Sequence, residues 1–393
     1  MVDLIDRWLL PEGIEEVLPP EARRLESLRR RLLDLYDRWG YELVMPPLIE
    51  YLESLLTGTG NDLDLQTFKL TDQLTGRLMG VRADMTPQVA RIDAHQLRRE
   101  VPTRLCYMGT VLHTRPDGFA GSRSPLQVGL ELYGHPGVEA DLEVLALMVE
   151  TLRETGLTEP YLDLGHVGVY RALAREAGLD ARREEALYDV LQRKAVPELE
   201  ALFGEWKLAG PLADALRALV DLNGGAGVMD EARRQLAAGG DTVMAALDQL
   251  QRLAEGAAVR LGTEVHFDLA ELRGYNYHTG VVFAAFLPGQ GRAIAQGGRY
   301  DDIGRVFGRA RPATGFSTDL KTLAALSPEA PAAPGAILAP AGDDPALAEA
   351  VARLRAGGER VINALPGQAG DARAMGCDRV LVHEKGDWIV KPA

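Results

Sequence analysis

Residues 124–134 read SPLQVGLELYG, and apolar and other residues alternate along the run. That period of two is the signature of a strand with two chemically different faces. Val128, Leu130 and Leu132 fall on one side, and Gln127, Gly129, Glu131 and Tyr133 on the other. Working outward, residues 77–82 and 104–112 read as further strands, expected in one antiparallel sheet with 124–134. Upstream, residues 20–39 place Leu25, Leu28, Leu32, Leu35, Tyr36 and Trp39 at helical spacing, and Gly40 stops the helix. Between helix and sheet, YELVMPPLIEYLE is a short apolar strand broken at Pro46–Pro47, which points to an edge or interface position.

Downstream, residues 138–156 and much of 170–258 are helical, rich in Ala, Leu, Arg and Glu. NGGAGV at 223–228 reads as a turn. Strands resume at 265–270 and 279–286, followed by the Gly-rich QGGRYDDIG at 296–304. SPEAPAAPG, residues 327–335, is a Pro/Ala-rich linker. Beyond it, AILAP, VINAL, RVLVHE and WIVKP are short strands, with one helix in PALAEAVARLRAGG. The expected organisation is α+β. A core domain spans 1–326 with a helical insertion at about 170–258, a linker spans 327–335, and a small α/β domain spans 336–393.

The 393 residues suffice for two or three domains, and the 46% hydrophobic and 25% charged content is that of a globular protein. The net charge of −14 argues against a nucleic-acid partner, which needs a basic surface. Residues 327–393 hold nine acidic and seven basic residues, so no basic patch stands out there either. Arg29, Arg30 and Arg31 read as a solvated helix face beside Glu26 and Asp34. Cys106 and Cys377 match no metal spacing, and the seven histidines show no ligand pattern, so no metal is expected. No signal peptide and no membrane-spanning stretch is read, and a cytoplasmic location is expected.

No phosphate loop, nucleophile elbow or dinucleotide fingerprint is present, so no nucleotide cofactor is expected. Polar groups cluster instead at strand ends: Arg82, Asp84 and Thr86 in VRADMTPQ, then Arg123, Gln127 and Glu131, then Arg273, and Arg299 with Tyr300. Carboxylates, arginines and aromatic hydroxyls form a set suited to an amino acid. A carboxylate takes the ammonium and a guanidinium takes the carboxylate.

Four stretches resemble the class II aminoacyl-tRNA synthetase core, and specifically the histidyl-tRNA synthetase family. GYELVMPPLIE resembles the dimer-interface motif, VRADMTPQVAR the LRPEGTA segment, LRGYNYHTGVVF the RGLDYYTG signature, and QGGRYDDI the GGRYDGL stretch. The resemblance implies an antiparallel sheet flanked by helices, and a dimer through residues 41–50. It also implies a histidine site made of Asp84, Thr86, Arg123, Gln127, Glu131, Arg273, Tyr277, His278 and Tyr300. Asp84, Thr86 and Gln127 would receive the α-amino group, and Glu131 would sit near the imidazole. Arg273 would face the carboxylate, and Tyr277 matches the first tyrosine of the signature. His278 stands where the signature has its second tyrosine.

The same resemblance exposes departures. His113 stands for the arginine that grips the α-phosphate, and Thr322 in GFSTDLKTL for the arginine that holds the γ-phosphate, with Asp319 in place of a glycine. Losing one preorganised charge partner of a transition state typically costs ~10²–10³ in rate. No catalytic residue is therefore expected. The pattern resembles the family of regulatory subunits of ATP phosphoribosyltransferase, which are paralogs of histidyl-tRNA synthetase. That family implies a short-form catalytic subunit as partner in a hetero-oligomer, L-histidine as feedback effector, and no tRNA. Two other readings stay open: a divergent histidyl-tRNA synthetase, and a synthetase-like paralog that binds another amino acid.

Overall fold

The computed structural model describes residues 8–57, 61–116, 121–272, 274–275, 277–328 and 335–393. The chain divides into two compact units, Met1–Ser327 and Pro328–Ala393.

The first unit holds β1 (Glu42–Leu43), β2 (Ile49–Tyr51), β3 (Phe68–Thr71), β4 (Leu78–Val81), β5 (Thr103–Thr110), β6 (Leu126–Tyr133), β7 (Tyr161–His166) and β8 (Asn223–Gly224). It continues with β9 (Val265–Asp268), β10 (Val281–Phe286), β11 (Ala295–Arg299) and β12 (Ala313–Asp319). Among the described residues, nine of these form one sheet in the order β1-β5-β6-β12-β11-β10-β7-β9-β8. The six central strands, β5 through β7 in that order, are all antiparallel. Parallel pairing enters only toward the margins, at β1 with β5 and at β7 with β9.

Two sequence expectations need correction. Residues 77–82 do not join 104–112 and 124–134. Their strand β4 is the centre of a separate three-stranded sheet, β2-β4-β3. The reason is burial: of β4 only Gly80 is buried, against Leu52, Leu55 and Thr67, so the strand lacks the apolar face a central position in the main sheet requires. The 223–228 stretch is also more than a turn, because Asn223 and Gly224 pair with Asp268 and Phe267 before the next helix begins at Val228. The Pro46–Pro47 break acts as expected. It separates β1, at the edge of the large sheet, from β2, at the edge of the small one.

The alternation in 124–134 sets the two sides of the sheet. Val128, Leu130 and Leu132 are buried in the main core with Leu28, Leu32 and Leu35 of the helix Glu21–Arg38, and with helix Val138–Glu154. The opposite side carries a second, smaller core of Met85, Val89, Leu105, Tyr107, Tyr133 and Tyr300. The insertion is helical, with helices from Val167–Glu176 through Gly240–Leu261 packed on the main core. The second unit is a four-stranded sheet of β13 (Ala336–Ala339), β14 (Val361–Asn363), β15 (Cys377–Glu384) and β16 (Asp387–Pro392) in the order β14-β13-β15-β16. Its helix Pro345–Ala356 contributes Leu347, Ala350 and Val351 to a small core of its own.

Candidate functional site

The second face of β6 opens onto a cavity of about 240 Å³ lined by Asp84, Thr86, Glu131, Glu271, Tyr277, His278 and Tyr300, among others. Glu131 is 1% exposed. A carboxylate so far from water needs donors, and it has two. Tyr107 OH on β5 donates to Oε1 at 2.9 Å, and Tyr300 OH, just past β11, donates to Oε2. Burial pushes the Glu131 carboxyl well above the usual carboxylate range, with the Tyr107 hydroxyl opposing the shift. Burial likewise raises the Tyr107 phenol. The backbone makes room for both groups. Gly315 lies opposite Glu131 in the β12–β6 ladder, and Gly129 opposite Tyr107 in the β5–β6 ladder. A methyl group at either glycine would collide with the side chain it faces.

A second polar cluster lies at the turn after β4. Asp84 Oδ1 accepts from the Thr86 amide at 3.0 Å and from Gln127 Nε2 at 2.7 Å, and lies 3.1 Å from Thr86 Oγ1. Gln127 in turn accepts from the Met85 amide at 2.9 Å, so its side chain ties β6 to the turn. Thr86 Oγ1 also meets Tyr107 OH at 3.0 Å, which links this cluster to Glu131. A third wall is aromatic. Tyr277 stacks on Tyr300 with ring centroids 4.8 Å apart, and His278 stands edge-on to Tyr277 at 5.3 Å. The buried Tyr277 hydroxyl has no hydrogen-bond partner among the described residues.

Asp84, Thr86, Glu131, Tyr277, His278 and Tyr300 thus line one cavity, and Gln127 braces it. Arg123 is not brought there. Its guanidinium donates to the carbonyls of His113 and Glu12, each at 3.0 Å. Arg273 lies outside the described residues. Arg82 and Arg299 serve the fold: Arg82 donates to Thr110 O and Pro46 O, and Arg299 forms a buried pair with Asp141 at 3.0 Å. Among the described residues the charged groups of the lining are acidic, which suits a ligand carrying an ammonium. Tyr107 escaped sequence reasoning. The signal for it is the alternation in RLCYMGT, which places Tyr107 two residues from Leu105, the cross-strand partner of Glu131.

A wider groove of about 690 Å³ adjoins the cavity and shares Asp84, Gln296 and Ser317 with it. His113 and Thr322 line the groove, but neither presents a free cation. His113 Nε2 hydrogen-bonds Ala83 O at 2.9 Å, and Thr322 Oγ1 donates to Asp319 at 2.8 Å. Asp319 caps the helix Leu320–Leu326 and also accepts from the Leu126 amide at 2.9 Å, so its carboxylate has a structural task.

This sheet, with its flanking helices and cavity, defines a class II synthetase-like core of the histidyl type. Residues 13–323 match the histidyl-tRNA synthetase family model, and residues 334–391 match that of the ATP phosphoribosyltransferase subunit HisZ C-terminal domain. Over 389 residues the chain is 67% identical to an ATP phosphoribosyltransferase regulatory subunit from Thioalkalivibrio sulfidiphilus, covering 98% of each. It is 59% identical to one from Alkalilimnicola ehrlichii, again covering 98% of each. A crystal structure of an ATP phosphoribosyltransferase regulatory subunit/histidyl-tRNA synthetase from Bacillus halodurans superposes with a TM-score of 0.83 at 29% identity, over 94% of this chain and 95% of that one. Histidyl-tRNA synthetase from Nostoc sp. PCC 7120 shares the fold, with a TM-score of 0.78 at 18% identity, over 95% and 91% of the two chains. The chain belongs to the family of ATP phosphoribosyltransferase regulatory subunits.

Proposed function

We propose that this chain is the non-catalytic regulatory subunit of an ATP phosphoribosyltransferase. It activates a separate short catalytic subunit and carries histidine feedback in the first step of histidine biosynthesis. The observation that carries this reading is the acid-lined cavity around Glu131, with the Asp84–Thr86–Gln127 cluster beside it. L-Histidine fits that chemistry: its ammonium goes to Asp84, Thr86 and Gln127, its imidazole to Glu131 between Tyr107 and Tyr300, and its carboxylate to Arg273.

Adenylation is absent in this reading. His113 and Thr322 stand where the resemblance to synthetases expects phosphate-binding arginines, and both side chains are engaged with the protein itself. The chain dimerises through residues 41–50, where Leu43, Met45, Leu48 and Ile49 are exposed within seven residues of one another. It takes no tRNA, in keeping with a net charge of −14. Feedback requires histidine to bind two states of the complex unequally, and a coupling of about 1–3 kcal/mol suffices. No helix among the described residues is long and apolar enough to cross a membrane, and the complex works in the cytoplasm.

Reconstitution tests the reading. The catalytic chain is assayed alone, with this chain, and with this chain plus histidine. Activation followed by histidine inhibition is expected, together with no histidine-dependent ATP–pyrophosphate exchange. Robust exchange would instead favour a divergent synthetase.

A further inference from the structure

Hydroxyl groups whose donor directions depend on one another join the two ends of the cavity. Glu131 Oε1 lies 2.9 Å from Tyr107 OH, Tyr107 OH lies 3.0 Å from Thr86 Oγ1, and Thr86 Oγ1 lies 3.1 Å from Asp84 Oδ1. Each hydroxyl has one proton to give. When Glu131 is ionised, Tyr107 donates to it and Thr86 donates to Tyr107. Asp84 then receives nothing from the Thr86 hydroxyl. When Glu131 Oε1 carries a proton, every donor reverses: Glu131 donates to Tyr107, Tyr107 to Thr86, and Thr86 to Asp84. Only two hydroxyl rotations separate the states, and both hydroxyls keep their own protons.

We propose that Tyr107 and Thr86 form a hydroxyl relay that makes the protonation of Glu131 respond to what is bound at Asp84. Both are positioning residues. An ammonium arriving at Asp84 occupies its acceptor sites and frees the Thr86 hydroxyl to turn toward Tyr107. Tyr107 then donates to Glu131 and favours the ionised carboxylate. The Glu131 proton passes to the ligand's imidazole or to solvent. This functional consequence rests on the histidine reading of the cavity; the relay itself rests on the hydrogen bonds alone.

The surroundings of Glu131 give the relay something to control. Burial favours the protonated carboxyl, and the nearby Asp84 charge adds to that preference. The other groups facing it are the phenols of Tyr107, Tyr133, Tyr277 and Tyr300, from four different segments of the chain. Tyr107 and Tyr300 hydrogen-bond Glu131, one at each oxygen, whereas the hydroxyls of Tyr133 and Tyr277 have no hydrogen-bond partner among the described residues. Tyr300 can donate to Oε2 whether or not Oε1 carries a proton, so only Tyr107 must reverse. Hydrogen bonds in such a chain polarise one another.

Infrared titration of the ligand-free full chain reads the relay directly. The carbonyl stretch of protonated Glu131 is identified by its loss in E131Q. In Y107F the midpoint moves up by about one to two pH units, because the ionised carboxylate loses a charge-assisted donor. In T86V it moves down instead, because the protonated state loses both Thr86 bonds, the charge-assisted one to Asp84 among them, and in Y107F/T86V it stays at the Y107F value. T86S, which keeps the hydroxyl, stays at the wild-type midpoint. An unmoved T86V midpoint, or a double variant whose shift is the sum of the two, would overturn the relay. Should Y107F fail to fold, T86V against T86S decides alone. Calorimetry with L-histidine on the same proteins separates the two claims. Absence of binding to wild type would sink the histidine reading, while the infrared midpoints still judge the relay.

Discussion

Gly315 lies directly across the β12–β6 ladder from Glu131, and the space left by its missing side chain is where the Glu131 carboxylate sits. The site therefore depends on a residue that offers no chemistry. G315A forces the carboxylate off its two tyrosine partners. Overpacking of this kind costs about 1–3 kcal/mol. Denaturant unfolding is expected to show that loss, and calorimetry to show histidine binding abolished. A variant as stable as wild type would mean that Glu131 has somewhere else to go.

Glu131 also makes stability depend on pH, with a defined sign. Its carboxyl is raised by burial, so the folded chain holds a proton that the unfolded chain releases. The unfolded state binds fewer protons in that window, so stability falls as pH rises from the ordinary carboxylate value through the folded value. Asp93 and Asp141 are also raised by burial, so the variant comparison is what isolates Glu131. Urea melts across this range should lose less stability with rising pH in E131Q than in wild type. Parallel curves would contradict the assignment.

Arg299 belongs to the QGGRY stretch, yet it works on the fold. It pairs with buried Asp141 at 3.0 Å and donates to the carbonyls of His135 and Gly137. Removing one partner of a buried pair costs about 3–5 kcal/mol. R299M is expected to lose about that much in denaturant unfolding. Variant that remains folded at low temperature should bind histidine with near wild-type affinity.

The exposed apolar run around Pro46–Pro47 predicts its own test. Met45 is 76% exposed, so a charge there does not disturb the folded chain. M45D is expected to shift the protein from dimer toward monomer in light scattering, with its far-ultraviolet circular dichroism unchanged. A variant that stays dimeric would move the interface elsewhere.

Much of this was legible in the residues. The alternation in 124–134 placed Val128, Leu130 and Leu132 in the core and Glu131 on the site face, because a strand's period leaves no other choice. The helix at 20–39 and the strands of the C-terminal unit were equally plain, since strong periodicity and turn residues mark them. The partner of each charge was not legible. Arg82, Arg123 and Arg299 carry the same guanidinium as a ligand-binding arginine, and only the fold reveals backbone carbonyls or Asp141 within their reach. Strand pairing for 77–82 was hidden for a similar reason. Four residues with one buried glycine fit any sheet until helix Leu52–Leu56 covers them.

The most direct test of the account is calorimetric titration of L-histidine into the purified full chain, with E131Q and R273A as variants and ATP as a control ligand. The account predicts histidine binding to wild type, weakened at least about ten-fold in each variant by loss of a charge-assisted partner, and no binding of ATP. Histidine binding unchanged in both variants, or none to wild type, would contradict the placement of the sensor in this cavity.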